Sequence, residues 1–148
     1  MDGHEVIRRQ QEAFNAHDAD GILRLYAPTA RFEAPGWAAE GTLEQMEFAL
    51  RRQFRAFPDI REDILSRAVE GRVAFSEFHV RGTHLGPFRL PDGNELPPSG
   101  QRFQFRGTIV YVLGDEGLVV SQRTYWDPSK LPGPTNPHRA HPAGAQPA

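Results

Sequence analysis

At Asp59 the spacing of apolar residues changes: before it they recur about every 3.6 positions, and after it they alternate with a period of 2. The first spacing is that of amphipathic helices and the second that of half-buried strands. A chain that runs helices first and strands afterwards buries both sets most simply as an α+β fold, with an antiparallel sheet curling around the helices. Its 148 residues make one ordinary domain, large enough to hold a core without staples.

The helical part divides into three. From Asp2 to His17, Val6, Gln10, Ala13 and Phe14 share one arc, and Asp2 with Glu5 resembles a capping box. His17, near the end of that helix where a cation is favourable, reads as structural. A second, short helix places Ile22, Leu25 and Tyr26 on one face and stops at Pro28. Residues 30–34 form a short strand, and Pro35-Gly36 turns the chain to present Trp37. Thr42 and Gln45 then cap a third helix whose stripe is Leu43, Met46, Leu50, Phe54 and Phe57, ended by Pro58.

Four strands follow, over 60–68, 72–84, 101–113 and 118–127, separated by Glu70-Gly71, a polar loop over 85–100, and Gly114 to Gly117. Beyond Asp127 proline recurs at 128, 132, 134, 137, 142 and 147 with almost no large apolar residue. The expected organisation is one domain over 1–128 and a flexible Pro-rich tail over 129–148. His138 and His141 lie in that tail and read as solvated side chains.

Composition narrows the chemistry. There is no cysteine, so disulfides, thiol nucleophiles and Cys-held metals drop out. A formal charge of −2 leaves no nucleic-acid footprint. No apolar run approaches the ~20 residues of a membrane span, and the charged N-terminus leads into no apolar signal core, so a cytoplasmic location is expected. With no Gly-rich phosphate loop leading into a helix, no paired helical histidines and no carboxylate cluster, neither cofactor nor metal is expected.

Strand parity indicates which side chains face the hollow between sheet and helices. Ala74, Ser76, Phe78, Val80, Gly82 and His84 share one face of their strand; Phe103, Phe105, Gly107, Ile109 and Tyr111 share a face of the next; Leu118, Val120, Gln122, Thr124 and Trp126 share a face of the last. The expected pocket is aromatic, with Ser76, His84, Tyr111, Gln122 and Thr124 as its polar points. Glu47 lies about 40° from Leu43 on the helical wheel and points either into the hollow or to Arg51 one turn away. Tyr26 either orients a substrate oxygen or packs with its hydroxyl satisfied. The opposite sheet face, with Glu77, His79, Arg81, Gln104, Arg106, Ser121 and Arg123, is either solvated or a homodimer contact that includes Phe75 and Tyr125.

The order and spacing of Phe14-Asn-Ala-His-Asp18, Leu25-Tyr-Ala27, Phe57-Pro-Asp59, Arg81-Gly-Thr-His-Leu-Gly86, Pro97-Pro-Ser-Gly-Gln-Arg-Phe103 and Tyr125-Trp-Asp127 resemble the SnoaL-like polyketide cyclase group of the nuclear-transport-factor-2-like superfamily. The resemblance runs from about residue 5 to 130. It implies a cone-shaped barrel, in which a strongly bent, mainly antiparallel sheet wraps three N-terminal helices around a deep apolar pocket. It also implies where family carboxylates would stand. The aspartate of the aldol cyclases falls at Thr124, and their histidine near Ile109 or Val110. The base, second aspartate and tyrosine of the ketosteroid isomerases fall at Ala34, Ile109 and Gln10. None of these positions holds an ionisable residue, so neither mechanism transfers.

The leading expectation is a cofactor-independent enzyme that closes or isomerises a hydrophobic polyketide- or terpenoid-like molecule by general acid–base chemistry. Glu47 and His84 would move protons, and Tyr26, Gln122 and Thr124 would orient oxygens. Trp37, Ser76, Phe78, Tyr111 and Trp126 would hold the skeleton. Two alternatives stand beside it. One is a non-catalytic binding or accessory protein; the other is an interaction module that uses the sheet's outer face and has its cone filled by Phe32, Phe78, Phe103, Phe105 and Trp126.

Overall fold

Asp2 sets the first element: its carboxylate accepts the Glu5 amide at 2.9 Å and so satisfies a free N–H at the start of α1, Gly3–Asn15. A computed structural model describes the protein over residues 1–35, 40–90 and 92–132. α1 buries Val6, Gln10 and Phe14 of the expected arc, with Ile7 added to them, while Ala13 is half-buried. Asp18 caps α2, Ala19–Leu23, through the Gly21 amide. Thr42 and Gln45 close a reciprocal capping box at the head of α3, Leu43–Ala56.

The strands are β1 (Tyr26–Glu33), β2 (Gly41–Thr42), β3 (Arg61–Glu70), β4 (Val73–Thr83), β5 (Phe88–Arg89), β6 (Glu95–Leu96), β7 (Arg102–Leu113) and β8 (Val119–Trp126). Six of them form one sheet in the order β2-β1-β8-β7-β4-β3. All neighbours are antiparallel except β1 and β8, which run parallel. The sheet bends around the three α-helices, giving the α+β cone expected from the sequence. α1 lies on β3 and β4, while α3 lies on β1 and the β5–β6 hairpin.

Four local expectations need correction. The second helix ends at Leu23, and Tyr26 opens β1 as the partner of Val119. Pro28 therefore stops no helix; it falls in the irregular stretch between Tyr26 and Arg31, where the missing amide costs no ladder bond. On β8 the register shifts between Val112 and Leu113, which leaves Val120 as an extra residue. Below Gln122 the inward residue is consequently Val119, fully buried, and not Val120. The 85–100 loop contains the β5–β6 hairpin, which delivers Phe88 to the core. A turn of 3-10 helix, Pro128–Lys130, brings Leu131 against the core, so the ordered domain continues past 128; residues 133–148, with His138 and His141, lie outside the described residues.

Outside the sheet, Phe75 and Tyr125 are exposed, as are Glu77 and Arg81. Among the described residues no helix is long and apolar enough to cross a membrane.

Candidate functional site

Inward residues of the sheet and all three helices converge on a cavity of about 230 Å3. Its walls are largely apolar, with Phe14, Phe32, Met46, Phe78, Phe105 and Trp126 among them. Phe105 and Trp126 stack at 4.7 Å between ring centroids within this lining. Five polar side chains interrupt this wall from the strands and α1: Gln10, Tyr26, Glu62, Gln122 and Thr124.

Glu62 is the carboxyl among these lining residues. β3 pairs it with Val80, whose side chain faces the cavity, and the residue is only 3% exposed. Burial pushes its carboxyl up to about 7, and the negative charge of Asp63 adds to the shift; a hydrogen bond from Gln10 opposes it. The segment is clamped from outside. Asn15 accepts from the Glu62 amide at 2.8 Å and donates to its carbonyl at 2.9 Å, and the His17 ring lies 2.9 Å from the Ile60 carbonyl. His17 holds a left-handed backbone conformation (φ 54°) and stacks on Phe54 at 4.8 Å, so its role is structural, through this clamp.

Tyr26 donates a hydrogen bond to Gln122 Oε1, and Gln122 Nε2 donates to Thr124 Oγ1 at 2.9 Å. Burial, with Glu62 adding to it, pushes the Tyr26 phenol far above its ordinary value. Tyr111 shifts the same way, first through burial and then through Tyr26 and Glu62. Both phenols therefore stay neutral near pH 7.

Of the residues singled out in the sequence, Tyr26, Phe78, Gln122, Thr124 and Trp126 meet at the cavity. Tyr111 and Ser76 are buried in the sheet wall behind it, and their hydroxyls have no hydrogen-bond partner among the described residues. Trp37 lies outside the described residues. Glu47 does not reach the cavity: its carboxylate pairs with Arg51 at 3.2 Å, with 44% of the side chain exposed, beside a groove on the outer side of α3. His84 does not line the cavity either. It is fully buried, with Nδ1 2.9 Å from Ser99 Oγ and its ring against Phe57. Burial lowers its pKa, against a smaller opposite effect of the Gly86 backbone. The acid–base pair Glu47–His84 is therefore not assembled.

Glu62 does not stand out in the sequence, because residues 60–68 alternate too weakly as a whole to assign their strand a face. The signal that finds it is the alternation Ile60, Glu62, Ile64, which sets a carboxylate among apolar residues. Among the described residues no three His, Asp or Glu side chains are grouped to hold a metal ion.

An α+β cone with an apolar cavity and one buried carboxyl defines a class, and sequence comparison supplies the family. Residues 7–122 match the SnoaL-like domain, and the chain belongs to that family. No curated protein matches it. Among solved structures, AclR from Streptomyces galilaeus, a candidate hydroxylase, is 23% identical with a TM-score of 0.74, over 86% of this chain and 76% of AclR. IdmH from Streptomyces antibioticus, a candidate polyketide cyclase, is 24% identical with a TM-score of 0.72, over 88% of this chain and 96% of IdmH. SalBIII, an epoxide hydrolase/cyclase-like enzyme with a role in pyran ring formation in salinomycin, is 18% identical with a TM-score of 0.67, over 86% and 92%. At such identities the likeness speaks to the fold alone. The positions to which the resemblance assigned family residues, Gln10, Ala34, Ile109 and Thr124, all line the cavity, and none carries an ionisable group. The cavity's carboxyl comes from β3 instead.

Proposed function

We propose that this protein is a cofactor-independent enzyme that closes or isomerises a small hydrophobic molecule of polyketide or terpenoid type, with Glu62 as the group that takes and returns a proton. The observation that carries the reading is the placement of Glu62, buried in a largely apolar wall beside Gln10 with its carboxyl pushed up to about 7. A carboxyl poised there is partly protonated and partly ionised at neutral pH, and proton transfer in either direction is then near its most efficient. In the ionised form it takes a proton from a C–H beside a carbonyl or from a hydroxyl. The resulting acid returns the proton to another carbon or oxygen of the same molecule, so mass is conserved. Tyr26, held by Gln122, and Thr124 orient substrate oxygens. The cavity of about 230 Å3 falls below the ~300–1,000 Å3 of typical ligand pockets, which favours a compact substrate of one or two rings over a long polycycle.

The test is a panel of linear hydroxy-enones and epoxy-alcohols incubated with the protein and followed for products of unchanged mass and altered retention. Glu62→Gln is expected to keep binding and to lose at least ~100-fold in turnover. Equal turnover by the variant removes Glu62 from the chemistry. Ligands that raise the Tm and return unchanged across the panel support a binding protein instead.

A further inference from the structure

Arg52 stands on α3 where the cavity meets the groove on the helix's outer side, and it borders both. Its guanidinium carbon lies 4.6 Å from the Phe88 ring centre and 5.4 Å from that of Phe48. The neighbouring arginines of α3 are occupied: Arg51 binds Asp20 at 2.7 Å and Glu47 at 3.2 Å, and Arg55 binds Glu95. Arg52 has no carboxylate partner among the described residues. Its one hydrogen bond runs from Nη1 to the Arg89 carbonyl at 3.3 Å, and Glu44, which borders the same groove, makes no ion pair with it.

A guanidinium carries five N–H donors in a planar fork. Here one is used, weakly, and the others sit between two aromatic rings at the edge of an apolar cavity. Burial with no counter-charge lowers its pKa to about 10. Packing alone does not call for such a group. An aliphatic side chain would fill the space between Phe48 and Phe88 without desolvating a cation, whereas a cation in that position meets a planar anion with two parallel hydrogen bonds.

We infer that the molecule bound in this cavity carries a carboxylate, which Arg52 holds at the cavity's edge while the apolar body lies against Phe88 and Phe78. This rests on the cavity being a small-molecule site and adds the ligand's charge and orientation. Arg52 enters the cavity wall from α3 and Glu62 from β3, so the anion and the carboxyl that moves protons are held by different elements.

The experiment is calorimetric titration with carboxylates from hexanoate to 2-naphthoate, each paired with its methyl ester, against the wild type, Arg52→Gln, Arg52→Lys and Glu62→Gln. The wild type is expected to bind the acid of a pair about tenfold or more tightly than the ester. Arg52→Gln should erase that preference and leave ester binding in place, Arg52→Lys should retain part of it, and Glu62→Gln should keep it. Far-UV dichroism and Tm identify any variant that fails to fold, in which case Arg52→Lys alone decides. Equal binding of acid and ester by the wild type, or a preference that survives loss of the guanidinium, overturns the assignment to Arg52 and leaves the cavity reading intact. If no acid or ester in the series binds the wild type, the cavity reading fails and this inference with it.

Discussion

Asn15 touches no part of the cavity, yet its side-chain amide meets both main-chain groups of Glu62, one as acceptor and one as donor. Removing such a partner leaves the part-buried Glu62 N–H unpaired and its carbonyl with only the longer contact from Gln11 Nε2 at 3.4 Å, at roughly 1–3 kcal/mol after partial rehydration. Asn15→Ala is expected to lower unfolding free energy by about that much in a urea titration. Asn15→Asp should do no better, because it sets an oxygen against the Glu62 carbonyl. A wild-type midpoint for Asn15→Ala would show that the clamp does not hold Glu62. The motif residues 14–18 were legible in the sequence, but their function was not, since their partners at 60 and 62 are far along the chain. Glu47 shows the opposite failure. A helical wheel gives the direction of Cβ, and the carboxylate two bonds further on swings to whichever cation lies one turn away, here Arg51.

The β5–β6 hairpin shows what sequence patterning misses between helices and strands. Its strands are two residues long, too short for alternation to register, and the segment reads as a polar loop. What secures it is a close approach at Gly86. The amides of Leu85 and Gly86 both donate to the Ala56 carbonyl, at 3.1 and 3.0 Å, and so satisfy a carbonyl of the last turn of α3. A Cβ built on Gly86 would lie 2.0 Å from the Arg55 carbonyl oxygen, which is backbone and has nowhere to go. Gly86→Ala is therefore expected to cost on the order of 1–3 kcal/mol and to expose residues 85–100 to limited proteolysis. Unchanged Tm and unchanged cleavage would mean that the hairpin can detach from α3 without consequence. The bulge at Val120 belongs to the same scale. Period-2 counting carries parity correctly back from Trp126 to Gln122 and fails beyond it, because one extra residue reverses every later assignment.

At the scale of the whole molecule, the buried carboxyl makes folding stability depend on pH in a direction that can be worked out. Glu62 has a folded pKa of about 7 against 4.5 for the free side chain. Between those values the folded state holds a proton that the unfolded chain has released, so stability falls as pH rises and levels off above pH ~7. His84 acts in the opposite sense. Its folded pKa lies below the ordinary 6.5, so the unfolded chain binds the proton more readily and stability is lost as pH falls through the folded value. The two slopes partly cancel in the wild type, which would hide either one in a single profile. Subtracting the profile of Glu62→Gln from that of the wild type removes His84 and every other shared group. The variant should gain on the wild type as pH rises from 4.5 to 7, by a total on the order of 3 kcal/mol, and hold that lead at higher pH. Urea unfolding at half-unit steps from pH 4.5 to 8.5 reads this directly. Parallel profiles would mean that Glu62 titrates in the fold as it does in water, and a carboxyl of that kind would have no special fitness for proton transfer at neutral pH.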